Sequence, residues 1–316
     1  MSNNSHKSKI VVIGAGNVGA TIAYTLMVRK QANDIVLVDL NEALARGTAL
    51  DIAHGTGFYK QIRVRQGGYE ECADANVIII TAGLARKPGQ TRLDLAKANV
   101  SIAQDITRNI MKYAENPLIV VVSNPADILT AAVTRESGLP ADRVIGSGTS
   151  LDTARFRYAL SRMFESDISD IDAYVLGEHG DSQVAIWSDV SVGGLDLDDF
   201  SQQNNLSLDK NLLAEWTKDA GAEVIGLKGA TFYGIAMSVS CIVESIMKDK
   251  HTVLPVAHVL DESFGEWAGV AISLPCRVGR DGIEKAYRLP MTEEEREAMN
   301  RSVNTLREFQ KNALHD

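Results

Sequence analysis

The sequence predicts a two-domain α/β protein, in which a doubly wound parallel sheet is followed by an α+β domain. The first half alternates short, unbroken apolar runs with amphipathic stretches of helical length, a pattern typical of parallel strands joined by crossover helices. This alternation stops after Gly148. A length of 316 residues also fits about two domains. We therefore predict one domain over 1–147 and a second over 148–316.

Four runs in the first half are dense in Val and Ile and end in Gly, Asp or Asn. They predict strands buried on both faces. The runs cover 9–13, 35–39, 77–81 and 118–123. Amphipathic segments between and after them predict helices over 18–29, 41–54, 94–115 and 126–137. Short connections between such elements imply right-handed crossovers.

The second half has a different pattern. Helices are predicted over 150–164, 206–226, 231–248 and 292–314, with Ser150 as the expected N-cap of the first. Strands are predicted over 172–176, 253–260 and 267–278, and the last two alternate enough to suggest antiparallel pairing. The sequence shows no long linker, so we expect the two domains to pack closely.

Composition excludes several classes of function. The chain has 32 basic and 41 acidic side chains and a net charge of −9, which disfavours nucleic acids and anionic membranes as partners. Cys72, Cys241 and Cys276 are too few and too scattered for a disulfide framework or a zinc site, so we expect no metal. The first nine residues are polar, and apolar runs stay far below the ~20 residues that span a bilayer. We expect a cytoplasmic protein.

A glycine motif after the first predicted strand indicates a dinucleotide site of the Rossmann type. Gly14 would make the tight turn, Gly16 would let the backbone approach a pyrophosphate, and Gly19 would let the helix pack close to the sheet. Asp39 ends the next strand, twenty residues after Gly19. Its carboxylate suits ribose hydroxyls and would repel a 2′-phosphate, which favours NAD over NADP.

A second group of residues can transfer a proton on an anionic substrate. His179 is flanked by Gly177 and Gly180, and Asp152 and Arg155 lie one helical turn apart in a predicted helix upstream. Histidine titrates near neutral pH and can give a proton to a carbonyl oxygen and take it back. Arginine suits bidentate capture of a carboxylate. Together with a dinucleotide, these residues predict a dehydrogenase.

Several motifs, in order along nearly the whole chain, resemble those of the L-lactate and L-malate dehydrogenases. The matching segments are Thr81-Ala82-Gly83, 87–95, Ser123-Asn124-Pro125, 151–157, 177–182 and Lys228-Gly229-Ala230-Thr231. The resemblance implies a nicotinamide at the domain seam and chemistry on a 2-hydroxy or 2-keto acid. It also implies a homo-oligomer, either a dimer or a tetramer.

The resemblance assigns a role to each matching residue. His179 is the proton donor, Asp152 holds its second ring nitrogen, and Arg155 binds the substrate carboxylate. Arg92, at the end of a loop that closes over the substrate, polarises the carbonyl, and Asn124 orients carbonyl and nicotinamide. Thr231 would line the substrate pocket. The expected cofactor contacts are Gly14, Gly16, Asn17, Val18, Gly19, Asp39, Thr81, Ala82, Gly83 and Asn124.

The sequence gives conflicting evidence on whether the substrate is lactate or malate. Lactate enzymes typically carry Gln early in the mobile loop and malate enzymes carry Arg, and this chain has Arg86. A guanidinium there would pair with the second carboxylate of oxaloacetate. Other segments, among them 147–151 and Thr231, resemble lactate enzymes. We predict an L-lactate dehydrogenase with oxaloacetate as a significant substrate, and an L-malate dehydrogenase as the alternative.

Other functions stay open on weaker grounds. A catalytically silent NAD-binding sensor would not need His179, Asp152 and Arg155 together. An NAD-dependent glycosidase would need a metal and a cysteine that 123–126 lacks, and an enzyme for larger 2-hydroxy acids would not need a cationic loop.

In lactate enzymes activated by fructose 1,6-bisphosphate, an Arg and a His bind the phosphate. Here Arg157 matches the arginine, but the histidine position is Asp172, so we expect weak or absent activation.

Overall fold

The computed structural model describes residues 8–58, 62–85 and 91–314. Within these ranges the strands are β1 Lys9–Ile13, β2 Asp34–Val38, β3 Arg63–Gln66, β4 Val77–Ile80, β5 Ile119–Val121, β6 Val144–Gly146, β7 Ile171–Leu176, β8 Val184–Val192, β9 Leu195–Asp196, β10 Thr252–Val259, β11 Ala271–Gly279 and β12 Gly282–Ala286. The α-helices are α1 Asn17–Val28, α2 Glu42–Gly55, α3 Arg92–Met111, α4 Ala126–Ser137, α5 Ser150–Phe164, α6 Leu197–Gln203, α7 Lys210–Lys228, α8 Tyr233–Lys248 and α9 Glu293–Leu314.

The main sheet confirms the predicted doubly wound architecture. Its strand order is β12-β11-β10-β6-β5-β4-β1-β2-β3, and the six strands from β6 to β3 are parallel. Every residue of β1, β4 and β5 is buried, as expected for strands covered by helices on both faces. The strand order reverses direction between β1 and β4, which opens a crevice at their carboxyl ends.

The second half contributes strands to the same sheet. β10 and β11 pair antiparallel, as the sequence predicted, and Ala257 of β10 pairs with Gly146 of β6. One hydrophobic core accordingly runs from β1 through β11 to α9. A second, smaller core lies between α5 and the separate sheet of β7, β8 and β9. The division at residue 147 stays a prediction.

Some predicted bounds are wrong for local reasons. α7 begins at Lys210 rather than at 206, because the side chain of Asp209 accepts the N–H of Leu212 and caps the helix there. α3 begins before residue 94 because Thr91 caps it in the same way. Ser150 is not the N-cap of α5, since Thr149 occupies that position without a side-chain cap.

Five of the described strands and the helix α6 were not predicted from the sequence. β3 has the sequence Arg-Val-Arg-Gln at the sheet edge, so it carries no buried apolar run. β6, β8, β9, α6 and β12 were also not predicted. No described helix has the length and apolarity that crossing a bilayer requires.

Candidate active site

The glycine turn between β1 and α1 has the backbone that its sequence predicts. Gly14 has φ +106°, a value unfavourable for other residues, and a Cβ there would lie 2.6 Å from the N atom of Ala82. A Cβ on Gly19 would lie 1.8 Å from the carbonyl oxygen of Gly14. Gly16, by contrast, faces open space, and a Cβ on it would have no neighbouring atom within 4 Å. The turn is therefore tight on its inner side and open where a pyrophosphate would approach.

The start of α1 offers free donors to this open space. Gly16 occupies the N-cap position and no side chain caps the helix. The N–H groups of Asn17, Val18 and Gly19 therefore point out of the first turn without a capping side chain, in the positive field of the helix end. This arrangement fits the phosphates of a dinucleotide.

Asp39 lies at the end of β2 beside the same turn. Its Oδ2 accepts the N–H of Ala15 at 2.7 Å, and its Oδ1 accepts the N–H of Asn41 at 2.8 Å. These two bonds fix the carboxylate at the rim of the crevice, and each oxygen retains lone-pair capacity for a ribose hydroxyl. The geometry fits the role predicted for Asp39 in cofactor choice.

The loop after β4 closes the opposite side of the crevice. Thr81 donates its hydroxyl to the carbonyl of Gly14 at 3.0 Å, so it supports the glycine turn from below. The hydroxyl of Ser123 donates to the carbonyl of Ala82 at 2.7 Å. Ala82 and Gly83 follow Thr81 directly and lie at the carboxyl edge of the sheet, where their predicted cofactor contacts would be made.

Asn99 on α3 organises this region, and sequence reasoning missed it. The side chain is 2% exposed. Its amide donates to the carbonyls of Asn124 at 2.8 Å and Leu84 at 3.2 Å, and its Oδ1 accepts the N–H of Leu84. One asparagine thus ties together the loops after β4 and β5. A polar residue on the apolar face of the 94–115 helix was the signal that could have found it.

A cavity of about 280 Å³ joins the dinucleotide crevice to the second half of the chain. Most of the predicted substrate and catalytic residues lie on its wall together with Val18 of the cofactor turn. They are Asn124, Asp152, Arg155, His179 and Thr231. Residues that lie far apart in sequence are thereby brought to one small site.

His179 and Asp152 form a tightly coupled pair in this cavity. The Nδ1 atom of His179 lies 2.5 Å from Oδ2 of Asp152. Burial alone would lower the pKa of His179, but the charge of Asp152 and this hydrogen bond outweigh burial and raise the pKa to about 9. Burial would likewise raise the pKa of the Asp152 carboxyl, yet His179 and Arg155 hold it below its usual range. The imidazole of His179 is therefore protonated at neutral pH, and the carboxyl of Asp152 is ionised.

Arg155 is placed to bind an anion next to this pair. Its side chain is 15% exposed, and its Nη1 donates to Oδ1 of Asp152 at 2.9 Å. The remaining guanidinium donors are left for a substrate carboxylate. A Cβ on Gly221 of α7 would lie 3.2 Å from Nη2 of Arg155. Gly221, which sequence reasoning also missed, therefore leaves the room that the guanidinium occupies.

Arg92 is not brought into the cavity. It forms an exposed ion pair with Asp181 and lines a neighbouring groove between the start of α3 and α9. Arg92 and Asp181 are 62% and 59% exposed, so this pair is weak and can be exchanged for another partner at little cost. Arg86 lies outside the described residues, so its predicted contact with substrate stays a prediction.

The combination of a dinucleotide crevice with an ionisable histidine and an arginine at its inner end defines a dinucleotide-dependent dehydrogenase. Comparison with known proteins makes this class specific. The model of the lactate/malate dehydrogenase NAD-binding domain matches residues 8–146, and that of the family's alpha/beta C-terminal domain matches residues 149–316. The chain belongs to the lactate/malate dehydrogenase family. It is accordingly an NAD-dependent oxidoreductase that acts on a 2-hydroxy acid.

Full-length relatives agree with this assignment. The chain is 41% identical over 312 residues to an L-lactate dehydrogenase of Acetivibrio thermocellus, covering 98% of each chain. The minor L-lactate dehydrogenase of Enterococcus mundtii is similar in structure with a TM-score of 0.93 and 40% identity, over 96% of this chain and 98% of that one. The malate dehydrogenase of Picrophilus torridus has a TM-score of 0.91 and 36% identity, over 98% of both chains.

Proposed function

We propose that the protein interconverts pyruvate and L-lactate with NAD, and that oxaloacetate is a significant second substrate. The observation that carries the first part is the convergence of His179, Asp152 and Arg155 on one cavity beside the dinucleotide crevice. The relatives named L-lactate dehydrogenase at about 40% identity favour lactate over malate. Arg86 supports the second part.

The proposed mechanism begins with substrate orientation. Arg155 binds the substrate carboxylate through the donors that Asp152 leaves free. Asn124 lines the same cavity and orients the keto group. NADH, when bound, supplies the hydride. The crevice residues from Gly14 to Gly19 would hold its pyrophosphate at the start of α1.

Proton transfer follows from the His179–Asp152 pair. As the carbonyl carbon is reduced, negative charge develops on its oxygen, and protonated His179 gives its proton to that oxygen. Asp152 holds Nδ1 and so leaves Nε2 as the nitrogen that faces substrate. Arg92 would leave Asp181 to stabilise the developing charge when the loop closes over the substrate. In the reverse direction, neutral His179 takes the proton from the hydroxyl.

The selectivity proposal predicts a large change on replacing Arg86 with glutamine. With pyruvate, the guanidinium would be left without its partner in a closed site, at a cost of about 3–5 kcal/mol. With oxaloacetate, it would pair with the second carboxylate. We therefore expect Arg86→Gln to shift the ratio of kcat/KM for pyruvate to kcat/KM for oxaloacetate at least about 10²-fold towards pyruvate.

The test measures kcat/KM for both keto acids side by side in wild type and variant. Arg63→Gln, at an exposed position at the start of β3, is the matched control and is expected to leave the ratio unchanged. An unchanged ratio in Arg86→Gln would show that this residue does not set selectivity. A wild type that strongly prefers oxaloacetate over pyruvate would instead favour the malate alternative.

Our expectations for assembly, location and regulation come from the family resemblance. We keep the expectations of a homo-oligomer and of a cytoplasmic location, which are typical of lactate dehydrogenases. Arg157 donates to the carbonyl of Ala173 at 3.0 Å and lies 3.9 Å from the carboxylate of Asp172. An acid beside this arginine disfavours phosphate binding, which supports the prediction of weak or absent activation by fructose 1,6-bisphosphate.

A further inference from the structure

A buried acid lies behind the catalytic pair on α4. Asp127 is the second residue of that helix and is 2% exposed, and its helix neighbours Ala126, Ile128 and Leu129 are buried apolar side chains. A carboxyl group in such surroundings costs free energy unless its oxygens are hydrogen-bonded or its charge is paired. The position therefore needs a physical reason beyond packing.

The contacts of Asp127 point towards His179. Its Oδ2 accepts the main-chain N–H of His179 at 2.8 Å. Its Oδ1 is buried and has no hydrogen-bond partner among the described residues. Asp127 lies two residues after Pro125, the N-cap residue of α4, so it is not placed to cap its own helix.

The charges around His179 show how Asp127 affects the protonation of the imidazole. Asp152 faces the imidazole from α5, Arg155 opposes it from the same helix, and Asp127 faces it from α4. Glu178, the preceding residue, accepts the hydroxyl of Ser182. Burial raises the pKa of Asp127 to about 7, against the opposing effect of the charge on His179. Above that pH the ionised carboxylate stabilises a protonated imidazole.

We propose that Asp127 is a positioning residue that fixes the main chain of His179 and, through its negative charge, strengthens the hold of the imidazole on its proton. Asp152 contacts the imidazole ring of His179, whereas Asp127 binds the main-chain N–H of the same residue. Two acids on separate helices therefore both stabilise the protonated imidazole. The inference rests on the proposed role of His179 as the proton-transferring group. It predicts that charge at residue 127, and not only a hydrogen-bond acceptor, controls the pH range of the enzyme.

The test is the Asp127→Asn variant, in which an amide oxygen can still accept the N–H of His179 but the charge is gone. The pH dependence of kcat/KM for pyruvate is measured with NADH in the full-length enzyme. We expect the midpoint of the alkaline decline to move down by about one pH unit, with activity on the acid side within about threefold of wild type. Asp281→Asn, in the exposed turn before β12, should leave the midpoint unchanged.

An unchanged midpoint in a folded Asp127→Asn enzyme would overturn the proposal, because it would show that an acceptor is sufficient. Infrared titration of wild type and His179→Asn provides a second test that needs no change at residue 127. We expect a buried carboxyl that titrates near neutral pH in wild type and at higher pH without the imidazolium. Absence of that shift contradicts the proposal. Full turnover by His179→Asn would instead contradict the proposed function itself.

Discussion

Replacing His179 with asparagine is expected to lower kcat/KM for pyruvate reduction by about 10²- to 10⁴-fold. Asparagine can still hydrogen-bond to Asp152, which lies 2.5 Å from Nδ1 in the native pair, but it has no proton to give at neutral pH. NADH binding should be retained, because the glycine turn and Asp39 lie at the other end of the crevice. Steady-state kinetics and NADH fluorescence titration measure the two effects separately.

His251→Asn is the matched control for this substitution. His251 lies in the exposed turn before β10, where it pairs with Glu284, so its replacement should leave kcat/KM near the wild-type value. Near wild-type turnover by His179→Asn, with NADH binding intact, would refute the general acid–base role of His179.

Replacing Arg155 with glutamine is expected to reduce kcat/KM for pyruvate by about 10²- to 10³-fold. The substrate carboxylate would lie without its cation in a cavity where the native guanidinium is only 15% exposed, which costs about 3–5 kcal/mol. Asp152 would also lose the donor that now lies 2.9 Å from its Oδ1. Arg155→Lys should lose less activity than Arg155→Gln, because it keeps the charge but not the bidentate fork.

Arg162→Gln, at an exposed position on the same helix, controls for changes in α5 itself and should have little effect. The measurement is kcat and KM for pyruvate in all four proteins, with thermal unfolding to confirm that each is folded. Equal activities of wild type and Arg155→Gln would show that the substrate carboxylate binds elsewhere.

Elements with a strong local signal were predicted well from the sequence. α4 and α5 have the predicted bounds, and β1 does as well, because each has an unbroken apolar run or a clear helical period. β3 was missed because its polar side chains lie at a sheet edge. The joining of β10 to β6 depends on one long-range pairing that no local pattern encodes.

In the candidate site, too, some residues could be predicted from the local sequence and others depend on long-range contacts. Motif residues such as Gly14, Asp152 and His179 could be placed from sequence because their chemistry and spacing are informative. Asp127 and Asn99 could not, since their roles depend on hydrogen bonds to main-chain atoms 52 and 15–25 residues away. Contacts of that kind become visible only when the helices that carry them are packed.

The most direct test of the account is the pH dependence of kcat/KM in both reaction directions. Its central claim is that one imidazole, with a pKa raised to about 9 by Asp152 against the opposing effect of burial, carries the transferred proton. Pyruvate reduction needs the protonated ring, so it should be nearly constant below this pH and fall about tenfold per pH unit above it. Lactate oxidation needs the neutral ring and should rise up to the same midpoint. Two profiles that bend in opposite senses at one shared pH are the predicted result, whereas profiles that are flat or that fall together would contradict it.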